Sequence, residues 1–496
     1  MRSMLAESPS SVRLPHVFTI GFVGSALPAN PAMYRARIDE LLADRKSHVE
    51  RLVCGIASLP FEEQPIFPES CIALGIPLRL LIPLPRERFL RECSPAFRDC
   101  FTYILDRAVS IEVAGSDASL AEGQYECSLQ VVQQSQELLA IWDGKPSYGL
   151  AGTAAIVEFA GEMRRPVTWI HSATSVVQPI HPHRSDKASD HELNFLNALP
   201  NIGVSGDCQG PSALALAWLA KLDANAANVA PQVRKLAAVP IICTALAAFV
   251  SAAAQGRKLS AVWIAVGAVL GLAASLLPMA LRLGTRQALW VRIRTAAEVS
   301  RSMVALWSTP ARYQIVGPEI LPELSGMVRS LDLLKSQARQ ESEITLSDFK
   351  DRYIKDRLLD QMSYFARQSA QSAATGRRYR LIGTICSIAA IVLSAWMFAS
   401  HFLLKSSSAT SWLGLVTPAL FQVATVAGAL LIVKDCDRRQ RRYHELHHAL
   451  ADWEAELRVF RSWPPVIEVV SKIERALLVE LLEWRSLLQN RKMPRN

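Results

Sequence analysis

Four uninterrupted apolar runs mark the second half of the chain: LAAVPIICTALAAFVSAAAQ (236–255), LSAVWIAVGAVLGLAASLLPMAL (259–281), LIGTICSIAAIVLSAWMFASHFLL (381–404) and TSWLGLVTPALFQVATVAGALLIV (410–433). At 1.5 Å rise per residue, helices of this length cross a bilayer core of about 30 Å. None of the runs carries Asp, Glu, Lys or Arg. They predict two membrane hairpins, turned at Gly256-Arg257-Lys258 and at a short Ser-rich segment. Around the hairpins the pattern is amphipathic. Leu346, Phe349, Tyr353, Leu358, Met362 and Phe365 recur at roughly helical spacing, with Lys350, Lys355, Arg357 and Arg367 on the other face. Thr345 followed by Asp348 is a helix-start signature. Pro211 to Lys235 predicts an Ala-rich helix leading into the first hairpin, and Arg286 to Trp307 a basic helix leaving it. Pro310, Pro318 and Pro322 break that helix, and helix resumes near Glu323. The order hairpin, charged helix, hairpin, charged helix carries no residue-level repeat.

The first third follows another rhythm. Val17 to Ser25 is a β-branched and aromatic run ending in glycine and serine, and a helix is predicted from Pro31 to Val53. Leu78 to Pro83 reads as a strand, Pro95 to Asp106 as a helix, and Val109 to Val113 as another strand. Leu138 to Trp142 is continuously apolar, as a strand buried on both faces requires. Asp143-Gly144 turns the chain there, Gly149, Gly152 and Thr153 open a helix over 153–163, and Pro166 to Ile170 gives a further strand. Such alternation predicts an α/β, Rossmann-like parallel-sheet domain, followed by an all-α membrane region of four transmembrane helices and long cytosolic helices. Open sheets of this kind take ligands at the carboxyl ends of their strands, where helix N-termini aim amides and a positive dipole at anions. The predicted organisation is a ligand-binding domain (16–171), a linker and juxtamembrane helix (172–235), the first hairpin (236–281), a cytosolic helical segment (282–345) and an effector region (346–492).

Composition agrees with a chain that is part membrane and part cytosol. Half of its 496 residues are hydrophobic, and its formal net charge is +9. The basic excess flanks the apolar runs, which points to topology and lipid headgroups and not to nucleic acid. Seventeen Lys and Arg lie in 282–380 and thirteen after 433, against Arg257, Lys258 and Lys405 in the hairpin turns. The positive-inside rule then predicts a multi-pass inner-membrane protein with both termini cytoplasmic. The N-terminus lacks the apolar run of a signal peptide, so the first domain is expected in the cytosol. The nine cysteines form no CxxC and read as reduced. His181, His183, Asp186, Asp190 and His191 lie in a polar segment without fixed ligand geometry, and His444, His447 and His448 beside Cys436 and Asp437 read as a solvated face. No metal site is expected. Gly267 and Gly271 form a GxxxG that suggests a helix-association face.

IGFVGS, LLIPLP and LLAIWDGKPSYGLAGTAAIVEFA occur in that order within 16–171 and resemble the SLOG superfamily of Rossmann-like nucleotide-binding domains, which includes the LOG, DprA and TRPM types. The resemblance implies a nucleotide or NAD-derived ligand, with Gly21, Gly24, Ser25, Asp143, Gly144, Gly149, Gly152 and Thr153 as candidate binding residues. Hydrolytic relatives place a carboxylate two or three positions after the threonine. Here those positions are Ala155 and Ile156, and Glu158 is turned about 200° away around a helix. Glu122, Tyr125 and Glu126 could supply a group from the preceding helix. The expectation is a sensor without catalytic residues.

Tyr353, Arg357-Leu358, Gln361 and Tyr364, with Trp453, Glu454, Leu457, Ile473-Glu474, Glu480 and Glu483-Trp484-Arg485 after the hairpin, resemble the SLATT domains, two-transmembrane effectors associated with SMODS and SLOG partners. SLOG beside SLATT implies a bacterial conflict or anti-phage system in which ligand binding leads to perturbation of the membrane, with membrane lipids, a nucleotide-type ligand and further copies of the chain as partners. The rival readings are a membrane-anchored nucleoside hydrolase and a constitutive channel or transporter. The carboxylate missing after Thr153 speaks against the first, and spans without charged residues against the second.

Overall fold

The computed structural model describes residues 12–24, 31–48, 51–61, 64–113, 120–146, 152–180, 187–204, 209–236, 239–256, 261–280, 283–309, 321–338, 344–402 and 410–489. The chain folds as two units, 1–222 with 299–345, and 223–298 with 346–496.

The first unit opens with β1 (Val17–Gly24), α1 (Pro31–His48), β2 (Leu52–Ser58), α2 (Ile66–Ala73), β3 (Leu78–Ile82), α3 (Arg86–Glu92), α4 (Arg98–Arg107), β4 (Ser110–Val113) and α5 (Leu120–Gln134). It continues with β5 (Glu137–Trp142), α6 (Thr153–Glu162), β6 (Val167–His171), β7 (Val177–Pro179) and α7 (Lys187–Asn197). The strands form one sheet in the order β4-β3-β2-β1-β5-β6-β7. Every pairing is parallel except β6 with β7. The helix expected to run to Val53 ends at His48, and Leu52–Ser58 is a strand the sequence reading missed. Val53, Cys54, Ile56 and Ala57 are buried there, and the strand pairs with β1 on one edge and, from Gly55 onward, with β3 on the other. Phe18, Ile20, Tyr34, Ile38, Leu42, Phe67, Phe89 and Phe101 form the core on one face, beneath α1, α2 and α4. Cys127, Val131, Val132, Ile156, Val157 and Ala160 of α5 and α6 cover the other.

The chain passes to the second unit along α8 (Pro211–Leu236). There, α9 (Val239–Gly256) and α10 (Ala261–Ala280) form the first hairpin, and α11 (Leu283–Ala305) leads back. In the first unit α12 (Ser325–Ala338) packs on β1, where Leu333 meets Val17 and Cys54. Arg79 of β3, 5% exposed, pairs there with Asp332 of α12 at 2.7 Å and with Glu112 of β4 at 2.8 Å. Of the stretches expected as a linker and juxtamembrane helix (172–235) and as a cytosolic helical segment (282–345), 172–222 and 299–345 belong to this unit. Both supply buried side chains, Leu193, Leu196, Trp218 and Leu222 from the first, Met327, Leu331 and Leu334 from the second. Lys221 of α8 is buried and donates to the carbonyls of Val12 and Asn197 at 3.0 and 2.9 Å.

The second unit also holds α13 (Leu346–Arg352), a π-helical turn at Tyr353–Leu358, α14 (Leu359–Phe402), α15 (Thr410–Lys434), α16 (Cys436–Val459) and α17 (Trp463–Gln489). Its helices α9, α10, α14 and α15 pack side by side. Leu346–Ser400 and Val416–Val459 are each long and apolar enough to cross a membrane. Only 6% and 11% of their apolar windows are buried, the reverse of a soluble core helix. Of the four expected crossings, these two have the length. The described apolar stretches of α9 and α10, Val239–Ser251 and Val262–Ala274, are shorter. Gly267 faces α9, where an added Cβ would lie 2.4 Å from Ser251 Oγ, so the GxxxG closes the hairpin within the chain.

Several residues that carry the second resemblance meet in one buried network. Glu474 of α17 accepts hydrogen bonds from Tyr353 at 2.8 Å and from Arg357 at 3.0 and 2.8 Å. Burial opposes the Arg357 charge, but Glu474 outweighs it and the guanidinium pKa is raised. Burial and the Glu474 charge push the Tyr353 hydroxyl up. Removing one partner of such a pair costs about 3–5 kcal/mol, whereas apolar replacement of the set is often neutral. Glu474→Ala is thus expected to lower the chemical-denaturation midpoint of the second unit strongly. Combining it with Arg357→Met and Tyr353→Phe should recover most of the loss.

Burial and nearby Arg13 lower the Lys221 pKa from 10.5 to about 8. Between those values the unfolded chain binds the extra proton, so this group's contribution to stability rises with pH from about 8 to about 10.5. Unfolding midpoints measured across pH 7.5–10 should show that rise in the wild type and lose it in Lys221→Met.

Candidate functional site

The chain leaves β1 toward β2 on one side and returns to β5 on the other, so the edge between the carboxyl ends of β1 and β5 is the sheet's topological switch point. Gly24 stands opposite Ile141 there, one residue before the end of β5. Two predicted glycine turns, whose Gly24 and Gly144 are 120 residues apart in sequence, thus come to the same edge of the sheet. Ser25 and Gly149 lie outside the described residues. Gly21 has a different place. It is buried mid-strand, and a Cβ there would lie 2.8 Å from Ser135 and 2.9 Å from Val131, so it lets α5 close on the sheet and is not brought to the crevice.

The turn after β5 is built from its own side chains. Asp143 Oδ1 accepts the Lys145 amide at 3.0 Å, and Gly144 takes φ +81°, which side-chain-bearing residues rarely adopt. The Trp142 indole donates to Lys145 O and the Trp169 indole to Trp142 O, both at 2.8 Å. Trp142 pairs with His171 in register, so Trp142, Trp169 and His171 share one face, with ring centroids 5.6 and 5.4 Å apart. His171 Nδ1 accepts amides of Ala173 and Thr174 at 3.1 and 3.3 Å, which leaves its proton on Nε2. Tyr34 of α1 donates to Ser172 O. The sequence pattern reads β6 only as a buried strand. A tryptophan near each strand end was the available signal for this aromatic edge.

Gly152 is the extended N-cap of α6 (φ −78°, ψ 148°), and no side chain caps the helix. Thr153 is buried and the first turn carries no acid. Uncapped amides at the positive end of a helix favour an anionic group. Gly152, Thr153, Asp143, Gly144 and Gly24 all lie at the carboxyl end of the sheet on or beside β1 and β5. Chemically, this edge offers amides and one carboxylate, with the Trp169 ring against the Gly144 turn.

Catalytic carboxylates do not gather here among the described residues. Ile156 is in the core and Glu158 is exposed, as its helical position requires. Glu122 and Glu126 are exposed on α5, and Tyr125 packs against the core. Gly123 lies against Pro83, which puts the start of α5 at the end of β3, two strands from β1. Asp190 is held by Arg51 and by His16 at 3.5 Å. His181, His183 and Asp186 lie outside the described residues, and among those described no cluster could hold a metal ion.

An alanine at position 144 would have to adopt a left-handed backbone, at about 1–2 kcal/mol. Its Cβ would also press on the Trp169 ring at 3.3 Å. Gly144→Ala is therefore expected to lower the thermal midpoint and to change the tryptophan emission. An unchanged spectrum would contradict the Trp142–Trp169 frame. Comparison with family models, with curated proteins and with solved structures finds no match to this chain.

Proposed function

We propose that the chain is a membrane-embedded sensor-effector in which a nucleotide or NAD-derived ligand, bound at the switch-point crevice, alters the membrane through the apolar hairpins. The observation that supports it best is a combination. One polypeptide joins a crevice bordered by Gly24, Asp143-Gly144 and the uncapped start of α6 to helices whose apolar surface faces outward. The SLOG and SLATT resemblances fall on those same two parts.

In this reading α9, α10, α14 and α15 are four crossings, and the sheet domain, the middle segment and the tail lie in the cytoplasm of a bacterial cell with the hairpin turns outside. Ligand phosphate sits at the α6 amides and the ribose or base against the Asp143 turn. Ligand can change the membrane part only by binding one arrangement of the protein more tightly than another. Chain connectivity supplies a route, since α12, held to the sheet by Asp332, directly precedes the effector region. The effector acts as an oligomer of identical chains.

The test uses full-length protein in dye-loaded vesicles, with NAD, ADP-ribose and cyclic dinucleotides, and calorimetry alongside. The expected result is that a compound which binds also releases dye, and that Asp143→Ala weakens both together. Binding without release would overturn the effector role. Liberation of free base from NAD would move the assignment to a hydrolase.

A further inference from the structure

We propose that the base of the second hairpin is a binding surface for the phosphate headgroups of anionic phospholipids. The inference rests on the membrane reading of α14 and α15, and it goes further by naming the lipid class and the residues. At this level α14 and α16 run antiparallel: Gly376 lies against Cys436, Ser369 donates to Gln440 O at 3.2 Å, and Arg380 forms two hydrogen bonds to Asp437 at 2.7 and 2.8 Å.

The basic side chains here divide into two sets. Arg380 is neutralised by Asp437, Arg442 by Glu480 and Glu483, and Lys434 donates to the Tyr379 hydroxyl at 2.7 Å. Arg377, Arg378, Arg438 and Arg441 are exposed, and among the described residues no carboxylate, hydrogen-bond acceptor or ring engages them. Asp435 lies at the helix junction, where its amide donates to Ile432 O and its carbonyl accepts the Arg439 amide. Asp437 is taken by Arg380, and no ion pair joins Asp435 to any of the four, so these arginines are open to an external anion.

Depth identifies that anion. Leu381 and Ile382 are 62% and 44% exposed on α14, and Ile432 is 74% exposed on α15. Arg378 precedes Leu381 by three residues, about 4.5 Å along the helix. A guanidinium just below an outward apolar surface is at the height of lipid phosphates, with which its planar fork forms bidentate hydrogen bonds. Clusters of four or more basic residues next to a span attract anionic lipid, roughly fivefold in affinity for each residue.

The test measures energy transfer from the tryptophans of the full chain, in mixed micelles, to dansyl-phosphatidylglycerol or dansyl-phosphatidylcholine. The expected result is a preference for phosphatidylglycerol of about tenfold or more that fades as NaCl is raised. The quadruple change Arg377→Gln, Arg378→Gln, Arg438→Gln and Arg441→Gln should abolish it, while Arg380→Gln leaves it in place. Helicity and elution volume check that the variants fold. Equal transfer from both lipids, or a preference that survives the quadruple change, would overturn the proposal and leave the membrane reading intact. Displacement by millimolar glycerol phosphate would assign the arginines to a soluble phosphate instead and overturn the headgroup assignment. Transfer from neither lipid would defeat the membrane reading and this proposal together.

Discussion

The strand β1 is hydrogen-bonded on both edges, to β2 and to β5, and the first unit is arranged around that double pairing. Right-handed crossovers carry the chain from β1 out to β4 with helices on one face, so the return to β5 has to place α5 and α6 on the other. Both faces of the sheet are thereby covered, as parallel strands without polar alternation require. The same routing leaves a gap between the carboxyl ends of β1 and β5. The crevice is a consequence of topology, and the glycines at its rim pack closely, Gly24 against Phe22 and Gly144 against Trp169. Gly21 shows the opposite use of the residue: deeper in β1, glycine closes a gap by letting Ser135 and Val131 approach.

Each unit buries an arginine against carboxylates from distant parts of the sequence. Arg79 joins β3, β4 and α12 through Glu112 and Asp332, and Arg357 joins the π-helical turn to α17 through Glu474. Such pairs add little net stability over an apolar core, because desolvation consumes most of the attraction. Their effect is on specificity, since a misplaced α12 or α17 would strand a buried charge. Aromatic residues beside the Arg357–Glu474 pair also pack on one another, with Phe349 near Tyr353 and Trp463, and elsewhere in the unit Trp290 is edge-on to Trp484.

Outward apolar surface on α14 and α15 sits directly above a band of arginines, some paired and some not. That sequence of surfaces, grease then guanidinium, is the order a lipid bilayer presents from its core to its phosphates. The sheet domain shows the reverse, with its largest apolar side chains enclosed.

Much of the architecture was readable from pattern alone. Period and run length give β1, β3, β5, α6, α8 and the apolar helices to within a few residues, because each forms from local propensity and burial of its own stripe. β2 was lost since LVCGIAS follows a helix after a short connection, and a short apolar run there extends a helix as well as it starts a strand. Nothing local could show that 325–338 returns to the sheet, that Arg79 would find Asp332, or that the GxxxG at Gly267 is consumed inside its own hairpin. The glycine turns at Gly24 and Asp143-Gly144 were visible as turns. That they face one another, with Trp169 and His171 beside them, depends on strand order, and strand order is settled only when the separate hydrophobic faces compete for one core.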